Sequence, residues 1–268
     1  MKAYQAAQCV EIMGGNETRT ETFLTSGLEI LLVSRPTGGG RGGDVYCIHS
    51  CGHGALAKFV LLDLAGHGPE RDAFARSVHT LLHRYGNETR PGPLLQQLNR
   101  HYRGFVLPPV HATAVSAVYA PTQNEFRMSN AGQPRPFHWS AAEGKWSALR
   151  SAVESDCGLP LGIMLDGCYA EETFPLAPGD LVLLASDGLP ETRNAQDEFL
   201  DPEGVLRELE HSTVAVGQQA PLVHLAGIFF RRLVEYRGRP EFDDDLTLLW
   251  LRALPRSAGG QYHNEVLT

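Results

Sequence analysis

Four aspartate sites share one setting: each lies at the end of an apolar run, beside glycine or another aspartate. Asp44 follows Gly42-Gly43. Asp63 closes Phe59-Val60-Leu61-Leu62 and precedes Leu64-Ala65-Gly66-His67-Gly68. Asp187 closes the run 181–186 and precedes Gly188, and Asp243, Asp244 and Asp245 open Leu246-Thr247-Leu248-Leu249-Trp250. A single Asp-Gly is ordinarily a turn, and an acidic triplet alone is ordinarily a solvated strand start. Their recurrence in one chain carries more weight. Strand ends meet at one edge of a sheet stack, so these carboxylates can converge. Converged carboxylates repel unless cations neutralise them. Oxygen-only ligands select Mg²⁺ or Mn²⁺ over Zn²⁺. Two such ions sharing a carboxylate can hold a phosphate and turn a bridging water into a nucleophile.

Other reactive residues compete for attention. Cys47, His49, Cys51 and His53 alternate, and on a continuous strand they would share a face suited to Zn²⁺. The turn-like stretch 50–54 breaks that alignment, so they read as ordinary hairpin residues. The run Gly38-Gly39-Gly40-Arg41-Gly42-Gly43 is not a P-loop, since no Gly-Lys-Ser/Thr follows. Its backbone freedom would let Arg41 approach a phosphate. His67 reads either as a hydrogen-bonding loop residue or as a proton donor to a leaving Ser or Thr oxygen. Ser186 lacks a Gly-x-Ser-x-Gly elbow, which argues against a serine hydrolase.

The elements needed to position the carboxylates are legible. Strand-like runs fall at 29–34, 44–49, 58–64, 112–119, 125–129, 137–139, 145–149, 169–175, 181–186 and 246–252. The pair 44–49 and 58–64 reads as a hairpin. Many runs are apolar throughout, so both faces should be covered. From Pro69, Phe74, Val78, Leu81, Leu82 and Tyr85 form a helical stripe, and a second helix follows at 93–102. A short helix is expected at Asp201-Pro202, and Leu222, Leu225, Ala226, Phe229, Phe230 and Leu233 mark another. Hairpin connections imply antiparallel sheets, so the expected fold is α+β: two sheets with helices outside.

Composition sets the outer limits. The chain has 268 residues, 43% hydrophobic and 20% charged, with a formal net charge of −8. That excludes wholesale disorder and argues against nucleic-acid or anionic-membrane binding. The apolar run 58–64 is far short of the ~20 residues of a membrane span. The N-terminus carries no apolar signal region. Five cysteines, an odd number, suit a reducing cytoplasm. One domain at 1–254 and a flexible tail at 255–268 are expected, with about 25 residues ahead of the first strand.

The motifs also resemble a known family. Gly-Gly-Asp at 42–44, Asp-Leu-Ala-Gly-His-Gly at 63–68, Leu-Leu-Gln-Gln-Leu-Asn at 94–99 and Ala-Thr-Ala at 112–114 occur in order. Asn-Ala-Gly-Gln-Pro-Arg-Pro at 130–136, Leu-Pro-Leu-Gly at 159–162, Pro-Gly-Asp-Leu-Val-Leu-Leu-Ala-Ser-Asp-Gly at 178–188 and Asp-Asp-Leu-Thr-Leu-Leu at 244–249 follow. Together they are similar to the protein phosphatase 2C (PPM) superfamily, in its bacterial SpoIIE/RsbU-type branch. The resemblance implies an α/β/β/α sandwich and two Mn²⁺ or Mg²⁺ ions held by Asp63, Asp187, Asp244 and the Leu64 carbonyl. Asp44 would ligate directly or through water. It further implies hydrolysis of a phosphoserine or phosphothreonine protein by in-line attack of a metal-bound water, with no phosphoenzyme. The implied substrate is of the anti-sigma-factor-antagonist kind. Three positions depart from the family pattern: Cys47 replaces an aspartate, Leu62 a glycine and Gln133 a histidine. The alternative is a phosphatase fold that has lost turnover and docks a partner.

Overall fold

The computed structural model describes residues 10–15, 17–25, 27–37, 42–51, 56–64, 69–105, 111–149, 158–164, 166–217, 220–255 and 265–267. The chain forms β1 (Val10–Gly14), β2 (Arg19–Thr25), β3 (Leu28–Arg35), β4 (Asp44–Cys51) and β5 (Leu56–Leu64), then α1 (Pro69–Arg84) and α2 (Pro91–Phe105). Next come β6 (Ala112–Ala120), β7 (Glu125–Ala131), β8 (Phe137–Ser140), β9 (Lys145–Ala148), β10 (Glu172–Pro175) and β11 (Leu181–Ala185). Helices α3 (Asp201–Val216) and α4 (Leu222–Arg237) precede β12 (Leu246–Ala253) and β13 (Glu265–Leu267).

Strand alternation sorts the side chains into three apolar layers. In β5, Phe59 and Leu61 point between the sheets, while Val60, Leu62 and Leu64 pack beneath α1 and α2. In β12, Leu249 and Leu251 join the central layer, while Leu246, Leu248 and Trp250 pack beneath α3 and α4. Both faces of these strands are covered, which is why their sequences are apolar throughout. One sheet has the order β1-β4-β5-β6-β7-β10 and the other β13-β2-β3-β12-β11-β8-β9. All neighbouring strands are antiparallel. The expected α/β/β/α sandwich is the observed one.

Several details differ from expectation. β1 and β2 precede the strand expected to be first. β1 is a five-residue strand, Val-Glu-Ile-Met-Gly, too short to stand out, and β2 is largely polar, with Phe23 in the central layer while its neighbours stay partly exposed. Within 169–175 only Glu172–Pro175 is strand, because Tyr169 packs into the layer beneath α1 and α2. The helix at Asp201 is not short, running 16 residues. The tail is not wholly irregular, since Glu265–Leu267 pairs with Thr22–Leu24 on the exposed edge of β2. Cys47 is a buried free thiol and Cys168 is disulfide-bonded, a bond the odd cysteine count did not announce. No helix among the described residues is long and apolar enough to cross a membrane.

Candidate metal centre

The β4–β5 ladder sets Asp44 directly opposite Asp63, and Thr113 of β6 stands on the other side of Asp63. The second sheet delivers its acids from adjacent strand ends. Beyond the last β11–β12 pair, the Ser186 amide donates to the Thr247 carbonyl at 3.0 Å. The Thr247 amide donates back to Ser186 Oγ, also at 3.0 Å, and that hydroxyl donates to the Asp245 carbonyl at 3.3 Å. Asp187 and Asp244 therefore leave the sheet side by side. Gly188 is required there, since a Cβ would lie 2.1 Å from the Asp245 carbonyl oxygen.

Asp245 ties the two sheets together. Its buried carboxylate accepts from the Thr37 amide at 2.7 Å, from Thr37 Oγ1 at 2.9 Å and from the Gly43 amide. The Gly43 carbonyl in turn accepts from the Leu64 amide at 3.1 Å. The chain thus enters β4 in a fixed direction, and Asp44 is aimed by its neighbours. Asp243 is also committed elsewhere. Arg237, whose side chain is 0% exposed, donates to it at 3.1 Å, and Arg239 donates as well. The Arg237 hydrogen bond holds the Asp243 carboxyl below the ordinary aspartate range. Asp244 is the triplet member left facing Asp63 and Asp187, its Oδ1 also accepting from the Asp245 amide at 2.8 Å.

The electrostatics are those of a crowded anionic site. Burial first, then Asp187, Asp244 and Asp245, raise Asp63 to about 7. Burial, Asp244 and Glu191 raise Asp187 to about 6. The two carboxyls titrate as an interacting pair, both held above the ordinary aspartate range by burial and by like charge. Asp44 is 1% exposed, and burial pushes its carboxyl well up. The Thr247 and Ser186 hydroxyls lie close enough to oppose that shift, yet neither Asp44 oxygen makes a hydrogen bond of ordinary geometry among the described residues.

This donor set fits divalent cations. It consists of oxygens alone, two of them buried and orphaned on Asp44, and its charge is repelled from within. Among the described residues no three His, Cys, Asp or Glu side chains already stand in a coordinating cluster.

Other expected site residues fall as follows. Leu64 closes β5 one residue beyond Asp63. Arg41, His53 and His67 lie outside the described residues. Cys47 pairs with Val60, three positions up the strand from Asp44. It packs beneath α1 and α2, about 10 Å along the strand from the acids, and burial pushes its thiol up to about 12. His49 is half-buried and lies against Gly86, remote from the aspartates.

Some contributors were not singled out from sequence. Glu191 adds negative charge to Asp187, and its amide bonds the Asp187 carbonyl at 3.0 Å, four residues along one tight turn. Asn99 is fully buried on α2; its Nδ2 donates to the Met164 carbonyl and its Oδ1 accepts from the Gly162 amide, both at 2.8 Å. An amide inside an apolar helical stripe was the available signal for Asn99.

Comparison with known proteins places this arrangement. The family model for Stage II sporulation protein E (SpoIIE) matches residues 54–254. The chain belongs to the SpoIIE family. Phosphoserine phosphatase RsbU of Bacillus subtilis is 26% identical over 162 residues, which are 60% of this chain and 45% of RsbU. The chain thus spans less than half of that relative. The RsbU and RsbW domains of Rv1364c from Mycobacterium tuberculosis give a TM-score of 0.70 at 22% identity, covering 88% of this chain and 62% of that one. The catalytic domain of the serine/threonine protein phosphatase PstP in complex with 2 manganese ions gives 0.56 at 18% identity, covering 87% and 100%. The structural likenesses establish a shared fold.

Proposed function

We propose that this SpoIIE-family chain is a metal-dependent protein serine/threonine phosphatase, with residues 1–254 as its phosphatase domain and an anti-sigma-factor-antagonist-type phosphoprotein as its substrate. The observation that carries the reading is that Asp63, directly opposite Asp44 on one sheet, feels Asp187 and Asp244 from the other. The name of RsbU supports phosphoserine as the substrate group, and the manganese complex of PstP supports two ions. Asp63, Asp187, Asp244 and the Leu64 carbonyl would hold Mn²⁺ or Mg²⁺, with Asp44 ligating directly or through water. Bound there, such ions supply a water of lowered pKa and offset phosphoryl charge. The residues around them fix the geometry: Asp245 anchors the chain entering β4, and Ser186 with Thr247 aligns the strand ends bearing Asp187 and Asp244. Arg41 is the proposed phosphate contact.

The docking-module alternative rested on Cys47, and Cys47 packs in the core away from the acids. Catalysis is therefore the favoured reading. The test is hydrolysis of p-nitrophenyl phosphate with millimolar Mn²⁺. Wild type should turn over and stop in EDTA, while folded Asp63→Ala and Asp187→Ala should each fall below about a tenth of the wild-type rate, a loss of ~1.4 kcal/mol in barrier terms. Full activity after chelation, or retention by both variants, overturns the proposal.

A further inference from the structure

Beside the carboxylates lies an apolar surface that the chemistry does not use. Leu159, Ile163 and Met164 are 41%, 48% and 52% exposed, and they supply half of the large exposed hydrophobics among the described residues. They sit in one short loop that is firmly held. The Ile163 amide bonds the Pro160 carbonyl at 3.4 Å across a turn whose third residue, Gly162, has φ +89°. Buried Asn99 holds Gly162 and Met164 from below. Leu161 is itself buried and exchanges both main-chain bonds with Ala112, at 2.8 and 3.2 Å. The exposed side chains are therefore displayed by a fixed backbone. Ala112 stands opposite Leu64, next to the Asp63–Thr113 pair. The loop is thus two strand spacings from Asp63, about 10 Å.

We propose that this loop is the docking surface for the protein substrate, and that it grips apolar residues flanking the phosphorylated serine or threonine. The inference rests on the phosphatase reading above and adds specificity to it. A phosphoprotein arrives with negative charge at a chain whose net charge is −8, so general electrostatics does not draw it in. Exposed apolar surface about 10 Å from Asp63 supplies the missing attraction. An extended peptide advances about 3.3 Å per residue. About 10 Å then places the gripped side chains two to four positions from the phosphoserine.

The test uses two phosphoserine peptides of equal length, one with Leu and Ile at those positions and one with Gln. Wild type should prefer the apolar peptide by about tenfold in kcat/KM, the scale expected for half-burying two such side chains. The Ile163→Gln, Met164→Gln double variant should lose the preference while hydrolysing p-nitrophenyl phosphate within about twofold of wild type. Its melting temperature checks the fold. Equal rates on both peptides in wild type, or a preference that survives in the variant, overturns the docking surface. Loss of p-nitrophenyl phosphate hydrolysis in the variant also overturns it, because docking leaves a small substrate untouched. If wild type itself fails on p-nitrophenyl phosphate, the phosphatase reading falls instead.

Discussion

Replacing Asp63 by Asn should stabilise the metal-free protein at alkaline pH while removing its response to metal. Asp63 is raised from 3.8 to about 7 by burial and by its acidic neighbours. Its folded form therefore binds a proton more tightly than the unfolded chain does. The sign follows: stability is present in full below pH ~4 and falls as pH rises toward 7, because ionisation costs more in the folded state. A shift of about 3 units at ~1.4 kcal/mol each sets an upper figure of ~4 kcal/mol at pH 8. Asp63 and Asp187 titrate as an interacting pair, so part of this cost belongs to both and about 2–3 kcal/mol is expected from one substitution. In a domain of this size that corresponds to roughly 4–12 °C in melting temperature. The assay is thermal or urea unfolding in EDTA across pH 5–8.5, read as variant minus wild type so that other titrations cancel. The difference should grow with pH. Added Mn²⁺ should raise wild type and leave Asp63→Asn unmoved. A difference that is flat in pH, or a variant less stable at pH 8, would refute the electrostatic account.

Within the acidic triplet, Asp244→Asn should lose by far the most p-nitrophenyl phosphate rate at saturating Mn²⁺. Asp243→Asn, which frees buried Arg237, should cost more stability than activity, and equal rate losses at all three positions would remove the assignment of Asp244. Cys47→Asp, which restores the family residue, should destabilise by ~3 kcal/mol or more and not accelerate turnover, since the carboxylate would be buried beneath α1 and α2; a faster, equally stable variant in urea titration would contradict this. Trp250→Ala should cost ~3–5 kcal/mol by calorimetry or urea titration, because Trp250 is fully buried with Phe229 and Trp146 ring centroids at 5.4 and 6.2 Å. A loss under about 1 kcal/mol would mean that the layer beneath α3 and α4 repacks around the gap.

The parts legible in the sequence were those with strong local patterning. Strands covered on both faces read as unbroken apolar runs, so β5, β11 and β12 and the acids at their ends stood out. β1 did not, because it is only five residues long, and β2 did not, because its residues around Phe23 are polar and partly exposed. The division of labour in the triplet was only partly visible. The family resemblance picks out Asp244, while residues 243–245 precede β12 and follow no strand alternation; assigning Asp243 to Arg237 requires the helix that brings Arg237 back to the turn. The Asp245 contacts span more than 200 residues, and no local pattern announces them. Cys47 misled for a related reason. Sequence places it near Asp44, while the pleat sends its side chain beneath the helices.

The way the acids are supported separates structural from chemical roles. Asp245 and Asp243 are satisfied by donors that hold backbone in place, three for Asp245 and two arginines for Asp243. Asp44 is more buried than either and has no such donors among the described residues. Asp63 and Asp187 repel each other, and no cationic group of the described residues is among the causes acting on either. A fold selected only for stability would neutralise these positions with an arginine or replace them with apolar residues, since buried unpaired carboxyls cost free energy. Arginine is available to Asp243, next door to the cluster, so positive charge is not lacking in this part of the chain. The cost is concentrated on the carboxyls that face one another at the sandwich edge, which is the pattern expected where an exchangeable divalent cation supplies the missing charge.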